Sequence, residues 1–107
     1  MPKRSSALIF MILLLSPQAW ADGLSDARKA ELSYFLTQDC GSCHGLRLTG
    51  GLGKPLTAEA LSLFSDDDLV ATILNGRPGT AMPPWRGVIN EADARFIVTL
   101  LREKGVK

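Results

Sequence analysis

The sequence predicts an all-α chain of about four helices, on three observations. Four segments carry apolar residues at helical spacing, and each follows a Ser, Thr or Asn suited to cap it. The two longer connections between them are dense in glycine or proline, and the chain is poor in strand patterns. At 107 residues there is room for one domain.

The first 21 residues are set aside before any core is considered. Lys3 and Arg4 form a positive start, Ala7 to Leu15 is an unbroken apolar run, and Ala19-Trp20-Ala21 supplies a small-x-small cleavage site. This is the pattern of a secretory signal peptide. The run is shorter than the roughly 20 residues that span a bilayer. Removal of residues 1–21 leaves a domain of residues 22–107, exported to the periplasm and without a membrane span. Without Lys3 and Arg4 its formal charge is near neutral, with no basic run, so nucleic acid is not an expected partner.

Ser25 caps the first helix, which is expected to run to about Gln38. Leu32, Phe35 and Leu36 share one face of it, and Arg28, Lys29 and Glu31 face water. Phe35 is read as a core residue. The helix delivers the chain into Cys40-Gly41-Ser42-Cys43-His44. Two thiols three apart with an imidazole directly after the second are the attachment pattern of a c-type haem: each sulfur adds to one vinyl group and His44 reaches the iron. A thioredoxin-type redox pair would want a βαβ setting that is missing here. A zinc site would need a fourth ligand, and the chain has no other Cys or His. A domain this small also gains from a covalent apolar centre.

The loop after His44 holds Gly45, Gly50, Gly51 and Gly53. It matches neither phosphate-binding glycine pattern, and close passage over a flat macrocycle is the expected reason for the missing side chains. Thr57 then caps a short helix to about Leu63. Ser65 caps the next, with Asp66, Asp67 and Asp68 in its positive first turn, a helix start and not a calcium loop. Leu69, Val70, Ile73 and Leu74 form its buried stripe, and Asn75-Gly76 ends it. Pro78, Gly79, Pro83 and Pro84 exclude regular structure and stiffen the loop that carries Met82. Asn90, with Asp93 three residues on, caps a last helix running to about Lys104 and stopping at Gly105. Ala94, Ile97, Val98 and Leu101 form its apolar face.

A second axial ligand follows by elimination. Met1 and Met11 leave with the signal peptide and no second histidine exists, so Met82 is the remaining thioether. His44 and Met82 are the expected axial pair, with a lysine or an open position as the alternatives. Such ligation raises the reduction potential relative to two imidazoles and suits electron transfer over catalysis at the iron. His44 needs an acceptor for its Nδ1-H, and the Pro55 carbonyl is the candidate. Arg47, Arg77, Arg86 or the Trp85 indole could pair with haem propionates, though solvent serves each equally well.

These residues together resemble a class I cytochrome c over nearly all of residues 22–107. The resemblance implies an all-α cytochrome c fold around one covalently bound haem c, with one haem edge exposed. The chain departs from the usual Gly-Pro-x-Leu after the motif, reading Gly53-Lys54-Pro55-Leu56. The runs Cys40 to Gly53 and Asn75 to Trp85 are similar to the small NirC-type periplasmic cytochromes associated with haem-d1 nitrite reductase. That similarity implies a monomeric carrier of single electrons, not an enzyme, with nitrite reductase as its redox partner in denitrification. A maturation factor in haem d1 biosynthesis or insertion is the second implied role, and an open-iron sensor or peroxidase the third reading.

Overall fold

The computed structural model describes residues 23–103, so the expected signal peptide, the start of the domain at Asp22 and the expected stop at Gly105 lie outside the described residues. Helix α1 spans Asp26–Phe35, a π-helical turn spans Leu36–Cys40, and α2 spans Gly41–His44. These three segments form one continuous rod. Helices α3 (Ala58–Leu61), α4 (Asp66–Asn75) and α5 (Glu91–Glu103) complete four helical rods with no strand among the described residues, as the sequence predicts. No helix among the described residues is long and apolar enough to cross a membrane.

Each expected cap is present. Ser25 Oγ accepts from Arg28 N at 3.1 Å, Thr57 Oγ1 from Ala60 N at 3.2 Å and Ser65 Oγ from Asp68 N at 3.1 Å. Asn90 and Asp93 cap reciprocally: Asp93 N donates to Asn90 Oδ1 at 2.9 Å and Asn90 N to Asp93 Oδ2 at 3.0 Å. Such caps satisfy amides that the first helical turn leaves without partners.

The first rod runs on to His44, beyond the expected end at Gln38, because nothing before Gly45 breaks it. Gly41 keeps right-handed helical angles, and Ser42 Oγ donates back to the Asp39 carbonyl at 2.8 Å. Gly45 stops the helix with φ 91°. Helix α3 ends at Leu61, short of the expected Leu63. Arg102 explains the early stop: its guanidinium donates to the carbonyls of Leu61 (3.3 Å) and Phe64 (2.8 Å) and pairs with Asp66 at 2.6 Å. Those carbonyls are satisfied without another helical turn.

The core lies where α1 and α4 meet α5. Leu32, Leu36, Ile97 and Val98 are the largest fully buried side chains, joined by Leu61, Val70, Leu74, Ile89, Ala94 and Leu101. The predicted stripes of α4 and α5 supply most of this set. Arg28 departs from the solvent-facing role expected of it. Its Nε and Nη2 reach both carboxylate oxygens of buried Asp93 at 3.1 and 2.7 Å, linking α1 to the first turn of α5. A carboxylate that caps a buried helix start needs a cation, and Arg28 is long enough to bring one. A second apolar layer of half-buried side chains, including Phe35, Leu48, Leu56, Ile73 and Trp85, packs on this core from α1, α4 and the two loops.

Candidate functional site

Cys40 closes the π-helical turn, and Cys43 and His44 follow on α2, so one helical stretch gathers all three motif residues. Three residues of helix advance about 4.5 Å and nearly a full turn, which sets both thiols along one side of the rod. No disulfide joins the two cysteines, of which Cys43 is exposed and Cys40 half-buried. Burial, with the Asp39 charge beside it, pushes the Cys40 thiol up to about 11.

His44 is oriented by the glycine loop. Its Nδ1 lies 2.7 Å from the carbonyl oxygen of Lys54, which assigns the ring proton to Nδ1 and leaves the Nε2 lone pair for a metal. The acceptor is thus Lys54 and not Pro55. Lys54 directly follows Gly53, the place of proline in Gly-Pro-x-Leu, so the acceptor is set by its count from the glycine. A backbone carbonyl needs no particular side chain, and Lys54 supplies it as well as proline would.

The glycines also find a nearer reason than passage over a macrocycle. Gly50 N donates to the His44 carbonyl at 2.8 Å and Gly53 N to the Cys43 carbonyl at 2.7 Å, satisfying the end of α2. A Cβ on Gly51 would meet the Cys43 carbonyl oxygen at 2.8 Å. One on Gly53 would meet Cε1 and Nδ1 of the His44 ring at 2.8 Å. The close approaches are to the helix end and to the imidazole. Gly53→Ala is accordingly expected to destabilise the haem-loaded protein by about 1–3 kcal/mol, the usual range for overpacking. Gly87→Ala, where a Cβ meets nothing within 4 Å, should be near neutral. Thermal unfolding of both variants checks this, and equal melting temperatures would refute the packing of Gly53 on the ring.

Met82 stands on a loop fastened at several points. Gly76 ends α4 with φ 68°, and a Cβ there would lie 2.7 Å from the Met82 carbonyl oxygen. That carbonyl accepts from Arg77 N at 3.1 Å, and Met82 N donates to Thr80 Oγ1 at 3.3 Å. Trp85 N and Arg86 N donate to the Ile73 and Leu74 carbonyls at 3.1 and 3.2 Å, tying the loop to the last turn of α4. The Trp85 ring meets Phe35 edge-on, centroids 5.0 Å apart, and so joins this loop to the helix that leads into Cys40. The Met82 side chain is left half-buried, with both of its backbone polar groups already bonded.

Phe35 packs on the helical core as expected, and its ring also meets Trp85 of the loop. Among the propionate candidates, Arg86 is engaged elsewhere, donating to Asn75 Oδ1 at 2.9 and 3.3 Å, while Arg47 and Arg77 lie exposed. Asp66 and Asp67 pair with Arg102 and Arg95, in keeping with a helix start. The sequence reading missed Lys54 and the Phe35–Trp85 contact. Counting from Gly53 would have found the first, whereas no local signal marks a contact fifty residues long.

The residues fit a haem. A thiol pair on one side of a helix, an imidazole whose free nitrogen is Nε2, a tethered thioether and a layer of half-buried apolar side chains are what a covalently held macrocycle requires.

Comparison with known proteins agrees. Residues 25–101 match the family described as cytochrome C oxidase, cbb3-type, subunit III. The chain is 51% identical over 94 residues to cytochrome c55X of Paracoccus denitrificans (strain Pd 1222), covering 88% of this chain and 91% of that one. The solved structure of a c-type cytochrome NirC is 54% identical, covers 76% of this chain and 95% of that chain, and superposes with a TM-score of 0.73. The structure of dihydro-heme d1 dehydrogenase NirN in complex with DHE is 34% identical, with a TM-score of 0.62 over 65% of this chain but 15% of that one.

Proposed function

The chain belongs to the c-type cytochrome family and carries covalently attached haem c as an electron carrier, and on that premise we propose its ligands, compartment and partner. Cys40 and Cys43 form the two thioether links, and His44 and Met82 are the axial ligands. The domain of residues 22–107 works in the periplasm after loss of the signal peptide. Its redox partner is a haem-d1 nitrite reductase, to which it gives single electrons.

The observation that carries this reading is the hydrogen bond from His44 Nδ1 to the Lys54 carbonyl, at 2.7 Å. It fixes the ring so that Nε2 is the free nitrogen, and Met82 is the one thioether outside the expected signal peptide. A haem held by His44 and Met82 would supply one-electron transfer with little change in geometry. The protein's part is to hold that geometry. Lys54 fixes the imidazole, the loop from Gly76 to Ile89 holds the thioether, and Phe35, Ile73 and Trp85 pack half-buried against the core. With both axial positions filled by side chains, no position is left at the iron for a substrate, which is the basis for proposing a carrier and not an enzyme.

A second reading is favoured by one observation: a chain of this kind recurs as a small part of a dihydro-heme d1 dehydrogenase. On that reading the protein serves in haem d1 maturation. Deleting the gene and purifying the nitrite reductase separates the two. Reductase lacking haem d1 indicates maturation, whereas fully loaded reductase starved of electrons in the cell indicates donation. A normally loaded and normally reduced enzyme would refute both.

A further inference from the structure

We propose that Trp85 is a positioning residue for the axial site: its edge-on contact with Phe35 ties the loop that carries Met82 to the helical rod that carries Cys40, Cys43 and His44, and so keeps the thioether on the iron. This inference rests on the reading of His44 and Met82 as axial ligands.

The two ligands stand on different parts of the fold. His44 and both thiols lie at the end of the rod that begins with α1, whereas Met82 lies on the loop that follows α4. Helices α1 and α4 each pack on α5. The Met82 loop is built onto α4: Gly76 N donates to the Thr72 carbonyl at 2.9 Å, and Trp85 N and Arg86 N donate to those of Ile73 and Leu74 at 3.1 and 3.2 Å. The backbone from Met82 to Pro84 runs so close past Gly76 that a Cβ there would meet the Met82 carbonyl oxygen and the Pro83 carbonyl carbon at 2.7 Å and the Pro84 nitrogen at 2.8 Å. Among the described residues, every hydrogen bond of residues 76–89 runs to α4 or stays inside the loop, and none reaches the rod. Hydrogen bonding thus makes α4 and the loop one body and leaves the rod as another.

The ring contact crosses between these bodies. Trp85 meets Phe35 with centroids 5.0 Å apart and ring planes at 87°, and both side chains pack half-buried against the core. Phe35 stands five residues before Cys40 and Trp85 three after Met82, so the contact lies close along the chain to both halves of the site. Pro83 and Pro84 fill the interval to Met82 with fixed φ, and this stiff spacer transmits the position of Trp85 to the thioether. A bond from Met82 to the iron and the ring contact therefore close the same gap. Losing the ring contact leaves the loop folded on α4 but lets it part from the rod more often, and the population with Met82 off the iron rises.

Titrating the ferric, haem-loaded protein with imidazole tests this, because the apparent affinity scales with the fraction of molecules in which Met82 is off the iron. Trp85→Leu and Phe35→Leu should each raise that affinity about 2- to 12-fold, the equilibrium weight of one edge-on aromatic pair. The double variant should gain little over either single one, since both remove the same contact. Trp85→Phe, which keeps a ring, should lie closer to the parent than to Trp85→Leu, and Val88→Ala, an exposed change in the same loop, should match the parent. Leucine variants that lose heat stability yet bind imidazole as the parent does, or whose effects simply add, would overturn the proposal. Should Trp85→Leu not accumulate, Phe35→Leu decides alone by the same titration. A parent that binds imidazole as tightly as Met82→Ala would instead refute Met82 as a ligand, and with it the reading on which the proposal rests.

Discussion

Replacing Met82 by alanine is expected to lower the reduction potential by on the order of 0.1 V, well within the roughly 0.8 V that axial ligation spans. At about 59 mV per tenfold for one electron, this multiplies the ferric-to-ferrous ratio at fixed potential some 50-fold. The direction follows from the soft thioether, which favours ferrous iron, and from water or an empty position taking its place. The substitution isolates the ligand from the loop that bears it. The carbonyl of residue 82 still accepts from Arg77 N, its amide still donates to Thr80 Oγ1, and Trp85 N still holds the Ile73 carbonyl, because all three use backbone atoms at position 82 or lie elsewhere. The change should therefore appear in the potential, in the ferric spectrum and in new carbon monoxide binding, with little loss of helical signal. Redox titration and reduced-state spectra measure it. An unchanged potential with an unchanged ferric spectrum would remove Met82 from the site.

How much of this was legible in the sequence depends on the range of the interaction. Caps read correctly because they are local: Ser25, Thr57, Ser65 and Asn90 each bond an amide three residues on. The apolar stripes of α4 and α5 read correctly because periodicity is a property of one helix at a time. The motif's chemistry was legible because a single rigid cofactor dictates its spacing. Reading failed where a contact crossed the chain. Arg28 was assigned to solvent, since nothing near it announces a buried carboxylate 65 residues away. The first helix was expected to end at about Gln38, yet Gly41 keeps right-handed helical angles and the rod stops only at Gly45, where φ turns positive. Lys54 was passed over for Pro55 because a residue type was sought where the structure uses a carbonyl at a fixed count.

The second large effect is expected at Asp93. Its side chain is 3% exposed and receives two hydrogen bonds from Arg28, whose own side chain remains 35% exposed. The Arg28 guanidinium, joined by the Asn90 backbone amide, holds the carboxyl below the usual carboxylate range despite burial. Asp93→Asn should cost about 2–3 kcal/mol. That is below the roughly 3–5 kcal/mol of a fully buried pair, because Arg28 stays partly in water and the amide oxygen can still accept from Asn90. For a domain of this size it corresponds to a fall in melting temperature on the order of 10 °C. The pH dependence follows from the depressed value. The carboxylate's stabilisation is complete above the ordinary Asp range near 4 and disappears as pH falls through the lower folded-state value. Arg28 does not titrate in this window. The difference between parent and Asp93→Asn should hence be widest at neutral pH and narrow steadily below about 5. Arg28→Ala should cost a comparable amount by leaving the buried carboxylate unpaired, whereas Glu31→Ala, which removes only the exposed arm of the network, should cost at most about 1 kcal/mol. Thermal unfolding of the three variants from pH 7 downward measures all of this. A constant gap between the parent and Asp93→Asn across that range would show that Asp93 contributes through packing and capping alone, and that the ion pair between α1 and α5 is not what joins the first helix to the last.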